Sequence, residues 1–423
     1  MATRPVYSEA QASEDARQGE AQPLPLSGVT IADFSWVLQG PRATSWLGSM
    51  GACVIKIEGQ RRPDQYRNIA IWSDGIKNID SSGAFHTLNF SKLDAAIDFT
   101  TPKGLELARK IIAISDVVVE NFAYGVMDRV GLGYEECKKL REDIIFVSSS
   151  ALGRNGPDKH HIAYGNLVHA VSGLNSVIGY DGEFGSTGST FADPLTGSTM
   201  VFAILAALWH RRCTGEGQSI DLSMVESALM QIPDHVLDYT ANGRVSKSDG
   251  NTQGIAAPHD TYECSAENTY VAIAVYSDDE WLRFRRAIGD PEWARDERFR
   301  DAPSRFANRN ALDEHLRPWA AERSAEAITE LLQGAGVSAA PVYHAKAMYE
   351  DEHLNARGAF VQLDHPVVGR KPVMGLPWHI EPGPSEQYWP APLLGQHTDH
   401  VLRDILGVNE EEIAALREEK VIV

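Results

Sequence analysis

The sequence predicts an α/β protein: a largely parallel sheet with helices on both faces, joined to a smaller α+β domain. Short apolar strand patterns alternate with helical ones from Gly28 to Ser150, the pattern of a sheet built through crossover helices. A polar, glycine-containing linker, "ANGRVSKSDGNTQG" (241–254), then interrupts the chain and is followed by a hairpin pattern and helix-rich text. At 423 residues, 43% of them hydrophobic, the chain can fill two cores.

Residues 1–26 carry Ser, Gln, Ala, Pro and the acids Glu9, Glu14, Asp15 and Glu20. They read as a mobile arm, with neither the apolar core of a secretory signal nor the basic character of a transit peptide. "GVTIADFS" is a strand, "GPRATSWLGSMG" a helix closed by Gly51, and "ACVIKIE" a second strand. "DAAIDF" (94–99) precedes a helix opening at Thr101-Pro102, a capping residue followed by proline at the first helical position. "DVVVENF" (116–122) and "DIIFVSSS" (143–150) are further buried strands, with "GVMDRVGLGYEECKKLR" as helical material between them. Helices are expected around 162–178 and 193–212, then a strand at "QSIDLS" and one helix through "MVESALMQIPDHVLDY". "HDTYECSAENTYVAIAVYS" reads as a hairpin, residues 278–334 as helical, and "NEEEIAALREEK" as a charged terminal helix. The expected organisation is an arm at 1–26, the first part of the large domain at 27–240, linker and small domain at 241–337, and a return to the large domain at 338–423.

Lys and Arg number 39 against 58 Asp and Glu, a formal charge of −19, which argues against nucleic acid or an anionic membrane as partner. An anionic small ligand needs a local basic patch. Cys53, Cys137, Cys213 and Cys264 form no C-x-x-C and read as reduced, mostly buried thiols of a cytoplasmic protein. The longest uninterrupted apolar run, Met200 to Trp209, is short of the ~20 residues of a membrane span. Phosphate-loop, dinucleotide, esterase and metalloprotease motifs are absent, and the adjacent His160 and His161 point apart, so no metal site is expected.

Asp193, at the foot of "STFADPLTGSTMVFAILAALWH", has two readings. Followed by Pro194 it fits a helix N-cap, the role that this stretch alone favours; the other is that it does chemistry, which the stretch alone leaves open. Basic residues gather after the early strands: Lys56, Arg61, Arg62, Arg67, Lys92 and Arg129. In an open α/β sheet ligands bind beyond the carboxyl ends of the strands, where such residues could meet phosphates.

The blocks "LSGVTIADFSWVLQGPRATSWLGSMGACVIKIEG", "LNFSKLDAAIDFTTPKGLELARKII", "SDVVVENFAYGVMDRVGLGYEE", "RRCTGEGQSIDLSMVESAL", "GVSAAPVY" and "PAPLLGQHTDHVL" resemble, in order, the class III CoA-transferases of the formyl-CoA and carnitine CoA-transferase type. The resemblance runs over roughly residues 26–423. It implies an interlocked dimer, either a homodimer or a heteromer with a related subunit, with a Rossmann-like large domain. It places the nucleophile at Asp193 and CoA contacts at Val37, Leu38, Gln39, Asn121, Phe122, Arg129 and Val130, with Asn89 and Lys92 in the matching basic segment. Coenzyme A enters as co-substrate, and no other cofactor is implied.

The implied activity moves CoA from an acyl-CoA donor, with succinyl-CoA a candidate, to a carboxylic acid such as an arylsuccinate, through an aspartyl anhydride and an aspartyl-CoA thioester. Backbone N–H groups near Gln39 or the 250–254 loop are candidates to hold the oxyanions. That loop has fewer glycines than the family's shielding loop, and Trp36 stands where formyl-CoA transferase-like sequences have a smaller polar ring. Two alternatives stay open. One is a non-catalytic or partner-dependent subunit of a two-chain transferase. The other is a 2-methylacyl-CoA racemase, whose histidine-aspartate pair would match Tyr164-Gly165; tyrosine, with a reference pKa of ~10, is a poor base, and Tyr164 is expected to pack at a helix start.

Overall fold

The computed structural model describes residues 23–423 except 70, 73, 74, 76, 181, 189 and 253. Most of the expected arm, and Gln253 of the 250–254 loop, lie outside the described residues. The fold begins inside the expected arm: Leu26 is buried, and its N–H donates to the Met50 carbonyl (2.9 Å).

The chain forms two compact units. Among the described residues the first takes 23–177, 185–246 and 356–423 and contains a parallel sheet of six strands: β1 (Thr30–Asp33), β2 (Cys53–Glu58), β3 (Leu93–Ala96), β4 (Val117–Glu120), β5 (Ile145–Ser150) and β6 (Ser219–Ser223). Their order is β3-β2-β1-β4-β5-β6. The chain therefore builds outward from β1 and then returns to lay β4 against β1, which leaves a crevice where the direction reverses. Alternate residues serve opposite faces, as the pleat requires. Ile31, Val117 and Val119 pack with Leu47 and Ile204 on one side, while Ala32 and Val118 pack with Ile111 and Ile413 on the other.

The helices that position the site are α1 (Gln39–Ser49), α2 (Gly83–Asn89), α3 (Pro102–Ile114), α4 (Val126–Val130), α5 (Gly165–Val171), α6 (Ala192–Thr214), α7 (Met224–Leu229) and α8 (Pro233–Asn242). α3 starts as its sequence predicts, with Thr101 Oγ1 accepting the Gly104 N–H (3.1 Å) and Pro102 in the first turn. The helix expected over 162–178 is interrupted after Val171, where Gly173 takes φ +83°. The single helix expected through "MVESALMQIPDHVLDY" is two, since Pro233 has no N–H to continue α7 and instead opens α8. α6 begins at Ala192 rather than after a capping Asp193. It crosses α1 closely at Gly197, where an added Cβ would stand 2.8 Å from the Gln39 carbonyl oxygen.

The second unit takes Ile178–Phe184 and Lys247–Asn355. Strands β7 (His259–Glu263), β8 (Tyr270–Ala274) and β9 (Ser338–Val342) form an antiparallel sheet in that order. It packs with α9 (Asp278–Ala287), α10 (Arg309–Ala321) and α11 (Ala325–Gly334) around Trp281, Phe284, Leu312 and Ile328. The boundary expected at 338 lies later, because Ser338–Val342 pairs with β8 and buries Ala339 in this unit's core. Of the four thiols, Cys53 and Cys213 are exposed and Cys137 and Cys264 buried, against the expectation that most are buried.

Buried charge ties the strand ends of the first unit together. Lys56 Nζ reaches Asp64 (2.9 Å), Arg67 pairs with Glu58 (2.9 Å), Asp80 (2.7 Å) and Asp94 (3.2 Å), and Lys92 pairs with Asp33 (3.0 Å). Burial alone would neutralise these groups. Instead, against the desolvation of Glu58, Arg67 together with the Asp94 hydrogen bond and Lys56 holds it near 2, whereas burial and the neighbouring Glu58 push Asp94 well above the carboxylate range. Replacing Arg67 leaves buried acids without their cation, so Arg67→Met is expected to lower the unfolding free energy by about 3–5 kcal/mol. Urea denaturation of the two proteins measures it.

Candidate active site

The crevice between β1 and β4 is bordered by residues 34–38 after β1 and 121–125 after β4. The first of these turns is pinned residue by residue. Ser35 N–H donates to Asp33 Oδ1 (2.9 Å), Trp36 N–H to Asn121 Oδ1 (2.8 Å) and Val37 N–H to Asp64 Oδ1 (3.0 Å). Asn121 Nδ2 donates back to the Trp36 carbonyl (2.8 Å), and Lys56 Nζ to the Ser35 carbonyl (2.8 Å). So held, Val37 adopts φ +70°, a conformation that a β-branched residue takes only when its surroundings over-determine it.

On the β4 side, Phe122 N–H donates to Glu120 Oε2 (2.8 Å), and the Phe122 ring meets Trp36 edge to face at 5.2 Å. Burial lifts Glu120 to about 7, although Ser148 and Arg154 both bond its carboxyl. α1 starts from the pinned turn at Leu38 with no side-chain cap among the described residues. The N–H groups of Gln39 and Gly40 thus lie among the first-turn donors that a helix cannot satisfy itself. Gln39 is buried, and its Oε1 accepts from Ser149 Oγ (2.7 Å).

Asp193 belongs to the same place. It stands one turn before Gly197 on α6, hence on the face that touches Gln39 and Arg42 of α1. Its carboxyl makes no N-cap bond: the N-cap position is Phe191, and Asp193 is the second helical residue. Burial pushes it up to about 6, and among the described residues the counterweight is its own backbone N–H rather than a cation. Tyr66 is close, its phenol raised by burial and then by the charges of Asp193 and Asp64.

The structure therefore gathers Val37, Leu38, Gln39, Asn121, Phe122 and Asp193 at the crevice side of one unit. Asn89 and Lys92 do not join them. Both side chains are fully buried, and Lys92 Nζ is spent on Asp33 (3.0 Å) and Asn89 Oδ1 (2.9 Å). Burial, first, draws Lys92 down to about 8, and because its ammonium is enclosed and paired with Asp33 it shores up β1 rather than meeting a phosphate. Lys56 and Arg67 are likewise buried, leaving Arg61, Arg62 and Arg129 of the expected basic set at the surface. Val130 packs against the core.

Sequence reasoning missed Asp64, Tyr66 and Glu120, which nothing in the local pattern sets apart. It also missed the neighbours of Tyr124, whose ring has Lys159 Nζ 4.6 Å from its centroid and the Arg154 guanidinium carbon at 5.7 Å. Tyr164, expected to pack, precedes α5 with its side chain 61% exposed.

A parallel sheet with a pinned turn, an uncapped helix start and an unpaired, half-buried carboxyl at its reversal defines a ligand-binding α/β protein equipped for nucleophilic chemistry. Residues 26–398 match CoA-transferase family III, and the chain belongs to that family. It is an enzyme of the CoA-transferase type, with coenzyme A as co-substrate. It is similar to the succinyl-CoA:glutarate CoA-transferase of Mus musculus, 30% identical over 93% of this chain and 89% of the relative. The succinyl-CoA–L-malate CoA-transferase alpha subunit of Chloroflexus aurantiacus is 29% identical, over 94% of this chain and 93% of that one. A CAIB/BAIF family protein of Brucella suis has a similar solved structure, with a TM-score of 0.82 and 30% identity over 91% of this chain and all of that one.

The raised Asp193 carboxyl has a signed consequence. Between about 4 and 6 the folded chain holds a proton that the unfolded chain has released, so this group's contribution to stability falls as pH rises through that window. Activity that needs the carboxylate runs the other way. kcat/KM for an acyl-CoA donor should fall tenfold per pH unit below about 6, as a pH–rate profile over the stable range will show.

Proposed function

We propose that this chain transfers CoA from succinyl-CoA to a dicarboxylic acid, with Asp193 as the nucleophile. The observation that carries the reading is the Asp193 carboxyl itself: it is half-buried, bonds no capping N–H, and lies beside the uncapped start of α1. The donor and the acceptor class are supported by relatives named for succinyl-CoA with glutarate and with L-malate. An arylsuccinate is a bulkier member of the same acceptor class. The strand order β3-β2-β1-β4-β5-β6 supports a Rossmann-like large domain.

The Asp193 carboxylate attacks the donor thioester carbonyl, and the C–S bond breaks to give a mixed anhydride and CoA thiolate. The thiolate attacks the Asp193 acyl carbon, forming aspartyl-CoA and expelling the donor acid as its carboxylate. The acceptor carboxylate then attacks the aspartyl-CoA carbonyl, regenerating thiolate in a second mixed anhydride. Finally the thiolate attacks the acceptor's carbonyl, giving the new acyl-CoA and free Asp193. No net proton is consumed. Each tetrahedral intermediate carries an oxyanion, for which the Gln39 and Gly40 N–H groups are the donors, each worth about 3 kcal/mol when well aimed. CoA lies along Val37–Gln39 and Asn121–Phe122, with its phosphates toward Arg129.

Assembly as a dimer, with a second copy or a related chain, is part of this reading. α8 buries none of its residues while Val236, Leu237 and Tyr239 stand exposed on it, as do Phe202 and Trp209 on α6. A helix of 10 residues that buries none of them is marginal in water by itself. Sedimentation equilibrium should give twice the chain mass of 46.4 kDa; a monomer with full activity contradicts the dimer.

Asp193→Asn tests the nucleophile. The variant should fold, bind the CoA thioester near the wild-type affinity and lose turnover, because an amide cannot form the anhydride. Hydroxylamine added to wild type with succinyl-CoA should trap a hydroxamate on the Asp193 peptide, and dicarboxylic acceptors should compete with that trapping. An active Asn variant removes Asp193 from the chemistry.

A further inference from the structure

We propose that His169 is a positioning residue: it takes over the capping of α6 and thereby keeps the Asp193 carboxylate available to react. The proposal rests on Asp193 being the nucleophile. The local sequence Asp193-Pro194 favours a helix that starts with aspartate as N-cap and proline at the first position. In that arrangement the carboxylate accepts the N–H of the second or third helical residue, and a nucleophile so engaged is blunted.

The structure shows a different start. Phe191 occupies the N-cap position in helical conformation with no side-chain bond, and Ala192 and Asp193 form the first turn. The Ala192 N–H donates to His169 Nε2 (3.0 Å), the Asp193 N–H is met by its own carboxyl, and Pro194 has none to offer. The first helical N–H is thus taken by His169, and the Asp193 carboxyl is engaged by no donor of the turn beyond its own N–H. Thr196 Oγ1 closes the turn on the Ala192 carbonyl (2.7 Å).

His169 is built for the task. It lies in the last turn of α5, is fully buried, and meets Phe191 at a ring distance of 6.3 Å. Because Nε2 accepts, the ring proton sits on Nδ1, which is buried with no partner among the described residues. Burial also lowers the ring's basicity, so it stays the neutral acceptor that Ala192 requires.

The test compares His169→Leu, which has no acceptor, with His169→Gln, whose Oε1 can reach the position of Nε2, and His169→Asn, whose shorter amide cannot. Leu and Asn should lower kcat at least tenfold with KM for succinyl-CoA within twofold, and lower the hydroxamate yield at Asp193; Gln should recover most of both. If the Leu variant does not fold, the Gln and Asn pair decides. NMR of the ring nitrogens in the wild-type enzyme should show His169 protonated on Nδ1. Equal activity in all three variants, equal losses in Gln and Asn, a KM rise matching the kcat loss, or a proton on Nε2 overturns the proposal. Failure of the nucleophile reading shows separately, as an active Asp193→Asn variant.

Discussion

The structure of the site depends on a buried lattice of ion pairs at the carboxyl ends of β1 and β2 and the start of β3. Lys56 holds Asp64 and the Ser35 carbonyl, Asp64 in turn holds the Val37 N–H, and Asp33 is held by Lys92 while it accepts from Ser35. Such pairs add little net stability over apolar residues of the same shape. What they add here is definition: the turn into α1 is fixed by directional bonds to each of its peptides, and a packed apolar turn would leave them free to rotate. Val37 keeps a positive φ and α1 presents an uncapped first turn because of that lattice.

A second consequence is a division of labour among charges. An acidic chain that binds a polyanionic co-substrate has to keep its own carboxylates away from the ligand. Lys56, Arg67 and Lys92 are buried among Asp33, Glu58, Asp64 and Asp94 and pair with them in the interior. Asp193 is treated in the opposite way. It receives no cation, its own backbone N–H offsets only part of its desolvation, and its carboxyl is held above the ordinary range. The two environments sit in one unit, and the contrast between them sets Asp193 apart from the ion-paired acids.

The alternation of strands and helices was legible because a parallel sheet covered on both faces needs short apolar runs, and "TIAD", "CVIKIE" and "VVVE" are such runs. The cap and proline of α3 were legible for the same local reason. The breaks after Val171 and before Pro233 were marked by Gly173 and Pro233, but the apolar spacing on either side ran on through them. The membership of Ser338–Val342 was not legible, since which sheet a strand joins is decided by its partner, β8, almost seventy residues earlier.

By itself the sequence determined an α/β chain with a second, smaller domain, its acidity, and Asp193 as a carboxylate at the foot of an apolar helix, because periodicity, charge and capping chemistry are local. Only the tertiary structure decided what Asp193 and the basic residues do. Lys92 looks like a phosphate ligand until Asp33 is found 3.0 Å from it, 59 positions away in the chain. Asp193 looks like a cap until the Ala192 N–H is found on His169. Each outcome turns on which acceptor wins a donor, and the winning acceptor is brought there by the packing of other elements.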